Sequence, residues 1–221
     1  MLNLHYYPST ASMVPHIVLE ELGVSYQRTL VDRTVDAHKA LDYLKLNPNG
    51  TIPVLTDGDL VLYETAAIVL HLCDTHPQAG LAPALGTAER AHFYKWLMWL
   101  TNTLQAALAI YFYPERWLDE GDATAQVQLK RHAEAKVANL LAQLDAELAR
   151  TNGLSGGDWF MGNCYTALDA YVFTLCRWTR GFQNEQPARS WPNLGPYLQR
   201  VLTRPALQRM LANEQLTSPW V

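Results

Sequence analysis

The sequence predicts an α+β protein in two parts, a small mixed sheet with helices followed by an all-helical bundle. Three observations carry this reading. Every readable strand lies before residue 64, whereas from residue 88 onward the large apolar residues recur at helical spacing. All seven tryptophans lie in the second part, from Trp96 to Trp220. Between the parts, residues 78–87 hold Gly80, Pro83 and Gly86 and suit a linker. The predicted organisation is therefore a first domain over 1–77, a linker over 78–87 and a helical domain over 88–221.

The elements follow in order. Residues 2–7 alternate and read as a strand. From Ser12 the positions Val14, Ile17, Val18 and Leu22 share one helical face, and Gly23 supplies the stop. Residues 26–31 read as a second strand and 37–46 as a helix that ends at the turn Asn47-Pro48-Asn49-Gly50. Two β-rich runs, 52–55 and 60–63, flank Asp57-Gly58-Asp59 and form a hairpin signature. A helix over 64–74 closes the first part as β-α-β-α-β-β-α. Its strand–helix–strand start implies parallel pairing and its hairpin implies antiparallel pairing, so the sheet is mixed. In the second part, helices are predicted over 88–110, 123–150, 166–180, 193–202 and 205–212. Thr166-Ala167-Leu168-Asp169 has the form of a capping box, with Asp in place of Glu or Gln. The tryptophans are expected mostly in the core of this bundle.

Composition removes several functions. The chain has 221 residues, 49% of them hydrophobic and 17% charged, which excludes a disordered polymer. No apolar run approaches the roughly 20 residues needed to span a bilayer, and no signal peptide is readable at the N-terminus. The net charge of −4 offers nucleic acid no default grip. Four of the 17 basic and nine of the 21 acidic residues fall in 1–80, so the first part is the acidic one. Cys73, Cys164 and Cys176 form no CxxC pair and suit small buried apolar positions in a reducing cytoplasm. His71 and His76 have no acid-rich set beside them, so no metal site is expected.

The most specific stretch is Asn47-Pro48-Asn49-Gly50-Thr51-Ile52-Pro53-Val54-Leu55, followed by Glu64-Thr65. Pro53 cannot donate a ladder hydrogen bond, and in such a tight entry it tends to be cis. The N–H and C=O of Ile52 are then left to pair with an extended peptide ligand. The helix start at Thr65 attracts a carboxylate, while the Glu64 side chain accepts from an ammonium. Together these groups suit the α-amino and α-carboxylate of one amino acid.

Through these motifs the chain resembles the soluble glutathione S-transferase family along its whole length, with Thr166-x-x-Asp169 as a further mark in the second domain. The resemblance implies a thioredoxin-like first domain and a homodimer. It implies that Thr51, Ile52 and cis Pro53 hold the cysteinyl part of glutathione and that Glu64 and Thr65 hold its γ-glutamyl end. A cation is expected at the glycine end, with Lys39 ahead of His38 and Lys45. The start, residues 6–17, is similar to the bacterial beta class, but Ala11 stands where that class has its cysteine. Mixed-disulfide chemistry at that point is thereby excluded. The histidine of that class on the first long helix is replaced by Gln105.

Activation of the thiol then falls to a hydroxyl in the 8–12 loop, and Ser9, Thr10 and Ser12 compete for it, with capping the ordinary role of such hydroxyls. Tyr6 is a further candidate whose ordinary role is in the strand core. A hydroxyl donating to sulfur near a helix N-terminus lowers a thiol pKa of about 8.5 toward neutrality. Tyr111, Phe112, Tyr113 and Trp117, with Trp99 or Trp178, are expected to wall an apolar pocket for an electrophile. The leading expectation is a cytoplasmic, detoxifying glutathione transferase that conjugates small hydrophobic electrophiles and uses no metal. The alternatives are a non-catalytic binder or interaction scaffold, and a glutathione-dependent isomerase or dehalogenase.

Overall fold

The computed structural model describes residues 1–221, apart from the side chains of Leu154 and Ser155. The chain divides into two compact units, Met1–Ala84 with Leu202–Ser218, and Leu85–Val201 with Pro219–Val221.

The first unit is built on four strands, β1 (Asn3–Tyr6), β2 (Gln27–Leu30), β3 (Val54–Asp57) and β4 (Leu60–Tyr63), in the order β2-β1-β3-β4. β1 pairs in parallel with β2 and antiparallel with β3, and β3–β4 is the hairpin turned at Gly58. The register sets Leu4 against Leu55 and Val54 against Tyr63. Leu4, Val54 and Leu55 are fully enclosed, as expected of strands with helices packed on them.

Helix α1 (Met13–Leu22) carries Pro15 in its first turn, where the missing N–H removes no intrahelical bond. Every residue from Met13 to Leu19 is buried, so α1 is covered on both sides rather than along one stripe. The sequence predicted a helix over 37–46. The structure has instead a 3₁₀ turn at Ala37–Lys39 and a single turn of α2 (Leu41–Leu44). Asp36 takes a left-handed φ of 53° and Ala40 is extended, and together they interrupt the helix. Helix α3 (Thr65–Thr75) follows β4 directly and buries Ile68, Val69 and Leu72.

The second unit is helical: α4 (Ala88–Trp99), α5 (Ala106–Phe112), α6 (Ala123–Ser155), α7 (Ala167–Trp178) and α8 (Leu194–Leu202). The predicted helix over 88–110 is continuous, but residues Leu100–Gln105 between α4 and α5 are wound as a π-helix. α7 is the axis of this unit, buried from Ala167 through Arg177. The capping box is formed: Thr166 and Asp169 exchange their side-chain and backbone bonds at the start of α7. The tryptophan expectation needs correction, since Trp96 alone among the seven is buried. The largest enclosed side chains here are Tyr171, Tyr197, Phe93, Phe160 and Phe173. An indole this large seldom fits a bundle interior without one edge reaching solvent.

Two buried carboxylates organise the loops of this unit. Asp145 accepts from the N–H groups of Asn193 and Leu194 at 2.8 Å and so caps α8. Glu134 accepts from the N–H groups of Gln183, Asn184 and Glu185 and from the Asn184 amide. Burial opposes its ionisation, but these four donors outweigh burial and hold Glu134 below the usual glutamate range. A carboxyl depressed in the folded state stabilises above its unfolded pKa, about 4.3, and that stability is lost as pH falls through the folded value. Glu134→Gln is therefore expected to be less stable than the parent at pH 7, with the gap narrowing below about pH 4. Urea unfolding across pH 3–7 reads this.

Helix α9 (Pro205–Asn213), which the sequence division places with the second domain, packs in the first unit against α1. It buries Ala206, Leu207, Met210 and Leu211, and two ion pairs flank that seam. The Arg204 guanidinium donates to both Glu21 oxygens, and Arg209 Nε donates to Glu20 at 2.6 Å. Burial works against a charged Glu20, yet the bonds from Tyr26 and Arg209 win and keep its carboxyl low. Among the described residues no helix is long and apolar enough to cross a membrane, and no cluster of three potential metal ligands occurs.

Candidate functional site

The turn before β3 is built around Asn47, whose side chain is fully buried. Its amide donates to the Thr51 carbonyl and to Thr51 Oγ1, both at 2.9 Å, and its Oδ1 accepts from the Asn49 N–H. The Tyr43 hydroxyl donates to the same Thr51 carbonyl at 2.8 Å. Burial raises the Tyr43 phenol and keeps it a donor at all ordinary pH. The carbonyl of Thr51 is thus fixed by two donors, and its role is to orient the next peptide unit. That unit is the cis Ile52–Pro53 bond. The Ile52 side chain packs on Val31, Tyr43 and Val54, while its N–H and C=O have no backbone partner among the described residues. They form one short stretch of strand edge at which an extended peptide unit can add.

Glu64 enters α3 with φ 70°, a left-handed value that is strained for a residue with a Cβ. Its carboxylate is exposed and makes no capping bond to the helix, and Thr65 starts the first turn. No acidic side chain lies in that turn, so the helix itself brings no carboxylate to the positive end of α3 beyond Glu64 at its cap. Glu64 and the start of α3 at Thr65 are thus adjacent in the chain.

The 8–12 loop separates its three hydroxyls. Ser12 is fully buried; its hydroxyl donates to the Tyr7 carbonyl at 3.0 Å and accepts from the Tyr7 N–H. Enclosed in this way, Ser12 closes the loop and presents nothing to a ligand, which corrects its place among the candidate catalytic groups. Thr10 is half-buried and donates to the same Tyr7 carbonyl at 2.7 Å. Ser9 is half-buried with φ 63°, and its N–H donates to Glu214 at 3.1 Å. The other oxygen of Glu214 accepts from His16 Nδ1 at 2.8 Å, and neither side chain of this pair is accessible. Glu214 follows α9 in the chain, and so the segment Leu202–Ser218 braces the loop from the far end of the sequence. Tyr6 stacks edgewise on His16 and lies under the Arg28 guanidinium, which assigns it to packing.

The cations expected for an anionic ligand are paired. Lys39 Nζ lies 3.1 Å from Asp36 and is largely exposed, His38 stands 3.9 Å from the same carboxylate, and Lys45 bridges Asp42 at 2.7 Å. Sequence reasoning passed over Arg33, whose guanidinium lies 6.0 Å from the centre of the Tyr7 ring, beside the 8–12 loop. No local pattern in the sequence marks Arg33, Glu214 or His16, because each gains its role through a partner distant in the chain.

The aromatic residues of the helical unit also divide. Tyr111 is buried against Phe182, at 4.7 Å between ring centres, and under the Lys130 ammonium, so it belongs to the core rather than to a pocket wall. Phe112 and Trp117 are exposed, Tyr113 is half-buried below Arg116, and Phe112 meets Trp178 edgewise. Trp99 packs on Trp96.

This geometry, an open cis-proline strand edge beside a helix start, is that of a thioredoxin-like glutathione-binding domain. Residues 8–75 match the family model of the glutathione S-transferase N-terminal domain, and residues 100–205 match that of the C-terminal domain. A glutathione S-transferase of Xanthomonas campestris is 30% identical over 97% of this chain and 100% of its own length. Among solved structures, a glutathione transferase homologue from Sulfitobacter, with bound glutathione, superposes with a TM-score of 0.86 at 25% identity, covering 98% of this chain and 99% of the other. A bacterial beta-class enzyme from Sphingomonas chungbukensis gives 0.80 at 31% identity, covering 97% of this chain and 100% of the other. The chain belongs to the glutathione S-transferase family and is a glutathione transferase.

Proposed function

We propose that this enzyme binds glutathione in its first unit and conjugates the thiol to small hydrophobic electrophiles. The observation that carries the reading is the conjunction of the unpaired Ile52 peptide edge with Glu64 and the start of α3. The cysteinyl N–H and C=O of glutathione pair with Ile52. The γ-glutamyl ammonium donates to Glu64, and its carboxylate accepts from Thr65 and the first N–H groups of α3. Similar structures from Sulfitobacter and from a sphingomonad that hold glutathione support this assignment.

The thiol lies at the start of α1, whose first turn carries no acidic residue to oppose a thiolate. Ser9 and Thr10 are the two accessible hydroxyls of the loop, and Thr10 donates to sulfur only by giving up its bond to the Tyr7 carbonyl. Lowering the thiol pKa by one to two units takes about 1.4 to 2.7 kcal/mol, within reach of one hydrogen bond to a charged sulfur and a helix terminus. The thiol proton leaves to solvent; sulfur then bonds the electrophilic carbon, and in an aryl halide the carbon–halogen bond breaks and halide leaves with its electron pair. Lys39 or Arg33 meets the glycine carboxylate. Ser9→Ala and Thr10→Val are each to be assayed with a generic aryl halide. The activating residue is expected to cost about 10- to 100-fold in kcat with little change in KM, the loss given by one charge-assisted bond. The family also suggests a homodimer, a cytoplasmic location and a role in detoxification.

A second reading, a binder without turnover, is favoured by one observation: Ser12 and Thr10 both give their hydrogens to Tyr7. It expects retention on immobilised glutathione with no conjugation, and no response to either substitution. Absence of both retention and turnover contradicts both readings.

A further inference from the structure

Two enclosed side chains behind the 8–12 loop have no part in the steps described above. They are His16 on α1 and Glu214 just beyond α9, and solvent reaches neither. His16 Nδ1 donates to Glu214 Oε1 at 2.8 Å, and Oε2 of the same carboxylate accepts from the Ser9 N–H at 3.1 Å. A carboxylate only accepts, so the imidazole carries a hydrogen on Nδ1. His16 Nε2 has no hydrogen-bond partner among the described residues. The imidazole is flanked edgewise by Tyr6 and Tyr26, whose ring centres lie 6.1 and 6.0 Å away. The Tyr26 hydroxyl is committed to Glu20 at 2.6 Å, and Arg28 donates to the Asn213 carbonyl at 3.0 Å.

Stability alone does not call for this pair. A buried carboxylate is a weak stabilising device, because well-packed apolar residues of similar volume often serve as well. What it supplies is a direction. An N–H lies in the plane of its peptide unit, so the bond to Glu214 fixes the plane of the Pro8–Ser9 peptide. Ser9 leaves that plane with φ 63°, in the left-handed region where glycine is the ordinary residue. A side chain kept there against strain is held by its surroundings, and such positions gather where the side chain is used. With the plane and φ both set, the Cβ of Ser9 and the hydroxyl it carries are aimed. The hydroxyls of Thr10 and Ser12, by contrast, are given to the Tyr7 carbonyl.

We infer that Glu214 is a positioning residue for thiol activation: through the Ser9 N–H it aims the Ser9 hydroxyl at the sulfur of glutathione, and His16 orients Glu214. This deepens the conjugation reading and rests on it for the ligand. Glu214 acts through Ser9 and takes no part in the proton or sulfur steps themselves.

The test follows the ionisation of bound glutathione on the intact protein, by the ultraviolet absorbance of its thiolate across pH, beside kcat and KM with an aryl halide. In Glu214→Ala the Ser9 hydroxyl is no longer aimed. Its bound thiol is expected to ionise about one pH unit higher than in the parent, so that kcat falls about 10-fold at neutral pH and recovers as pH rises. KM for glutathione changes by less than about two-fold, because Ile52 and Glu64 are untouched. Glu214→Gln keeps an acceptor oxygen for the Ser9 N–H while its amide donates to His16 in the other tautomer, and it stays within about three-fold of the parent. Placed on a Ser9→Ala background, Glu214→Ala adds no further loss. A kcat lowered equally at every pH, a full added loss on Ser9→Ala, or an unchanged thiol ionisation overturns the inference. Glu214→Met fills the space and carries the same expectation if the alanine variant folds poorly. In the parent, the Ser9 amide exchanges its hydrogen slowly, and fast exchange overturns the inference whatever the variants do. A parent that lowers the thiol pKa through Glu214 but conjugates nothing supports the inference and contradicts the conjugation reading. A parent whose bound thiol ionises as in free glutathione overturns the inference and leaves the Ile52 and Glu64 assignment standing.

Discussion

Replacing Glu64 with alanine is expected to weaken glutathione binding by roughly 30-fold, the equivalent of about 2 kcal/mol for one hydrogen bond between charged partners. Glu64 is exposed and receives no side-chain hydrogen bond from its own helix, so the fold does not depend on its carboxylate. Alanine leaves the φ of 70° as strained as before and removes the charge alone. Glutamine keeps an acceptor oxygen without the charge and falls between. Calorimetric titration measures all three proteins, with cysteinylglycine as the control ligand. That dipeptide lacks the γ-glutamyl group, so its affinity is expected to be the same for parent and alanine variant. A matching loss for both ligands shows that the substitution has disturbed Ile52 instead.

The largest loss of stability is expected at Asp169. Its carboxylate is fully buried and accepts from the N–H groups of Phe160 and Thr166, from the Thr166 hydroxyl and from the Tyr197 hydroxyl. Asp169→Ala strands these donors in the interior and removes the cap of the most buried helix. Each unsatisfied buried donor costs about 1–3 kcal/mol, and relaxation recovers part of that, so a net loss of about 3–5 kcal/mol is expected. This is a large share of a stability of about 5–15 kcal/mol. Asp169→Asn keeps one acceptor and is expected to lose about half as much. Denaturant unfolding at pH 7 reads both, and a loss below about 1 kcal/mol for alanine contradicts the account.

What the sequence disclosed depends on how far apart the partners are. The Asn47–Pro53 turn, the Asp57-Gly58 hairpin and the Thr166–Asp169 box are local, and each formed as read, because the physics that sets it acts within a few residues. The family marks lie in these segments, which is why the family and the fold of the first unit were legible. The His16–Glu214–Ser9 brace joins positions about 200 residues apart and left no local trace. For the same reason α9 read as part of the helical domain, although its apolar face is matched to α1. Three hydroxyls in one short loop are equivalent on paper. Only the enclosure of Ser12 and its bonds to Tyr7 separate it from Ser9 and Thr10. Similarly, the π-helical turn at Leu100–Gln105 leaves the apolar spacing nearly intact, so nothing in the sequence marks it.

The central claim is that one short strand edge and one helix start hold glutathione with its sulfur at the 8–12 loop. A crystal grown with glutathione tests it most directly. The expected result is the cysteinyl peptide unit paired with Ile52, the γ-glutamyl group on Glu64 and Thr65, and the sulfur within about 3.5 Å of the Ser9 or Thr10 hydroxyl. Glutathione bound away from Ile52 and Glu64, or with its sulfur turned from that loop, contradicts it.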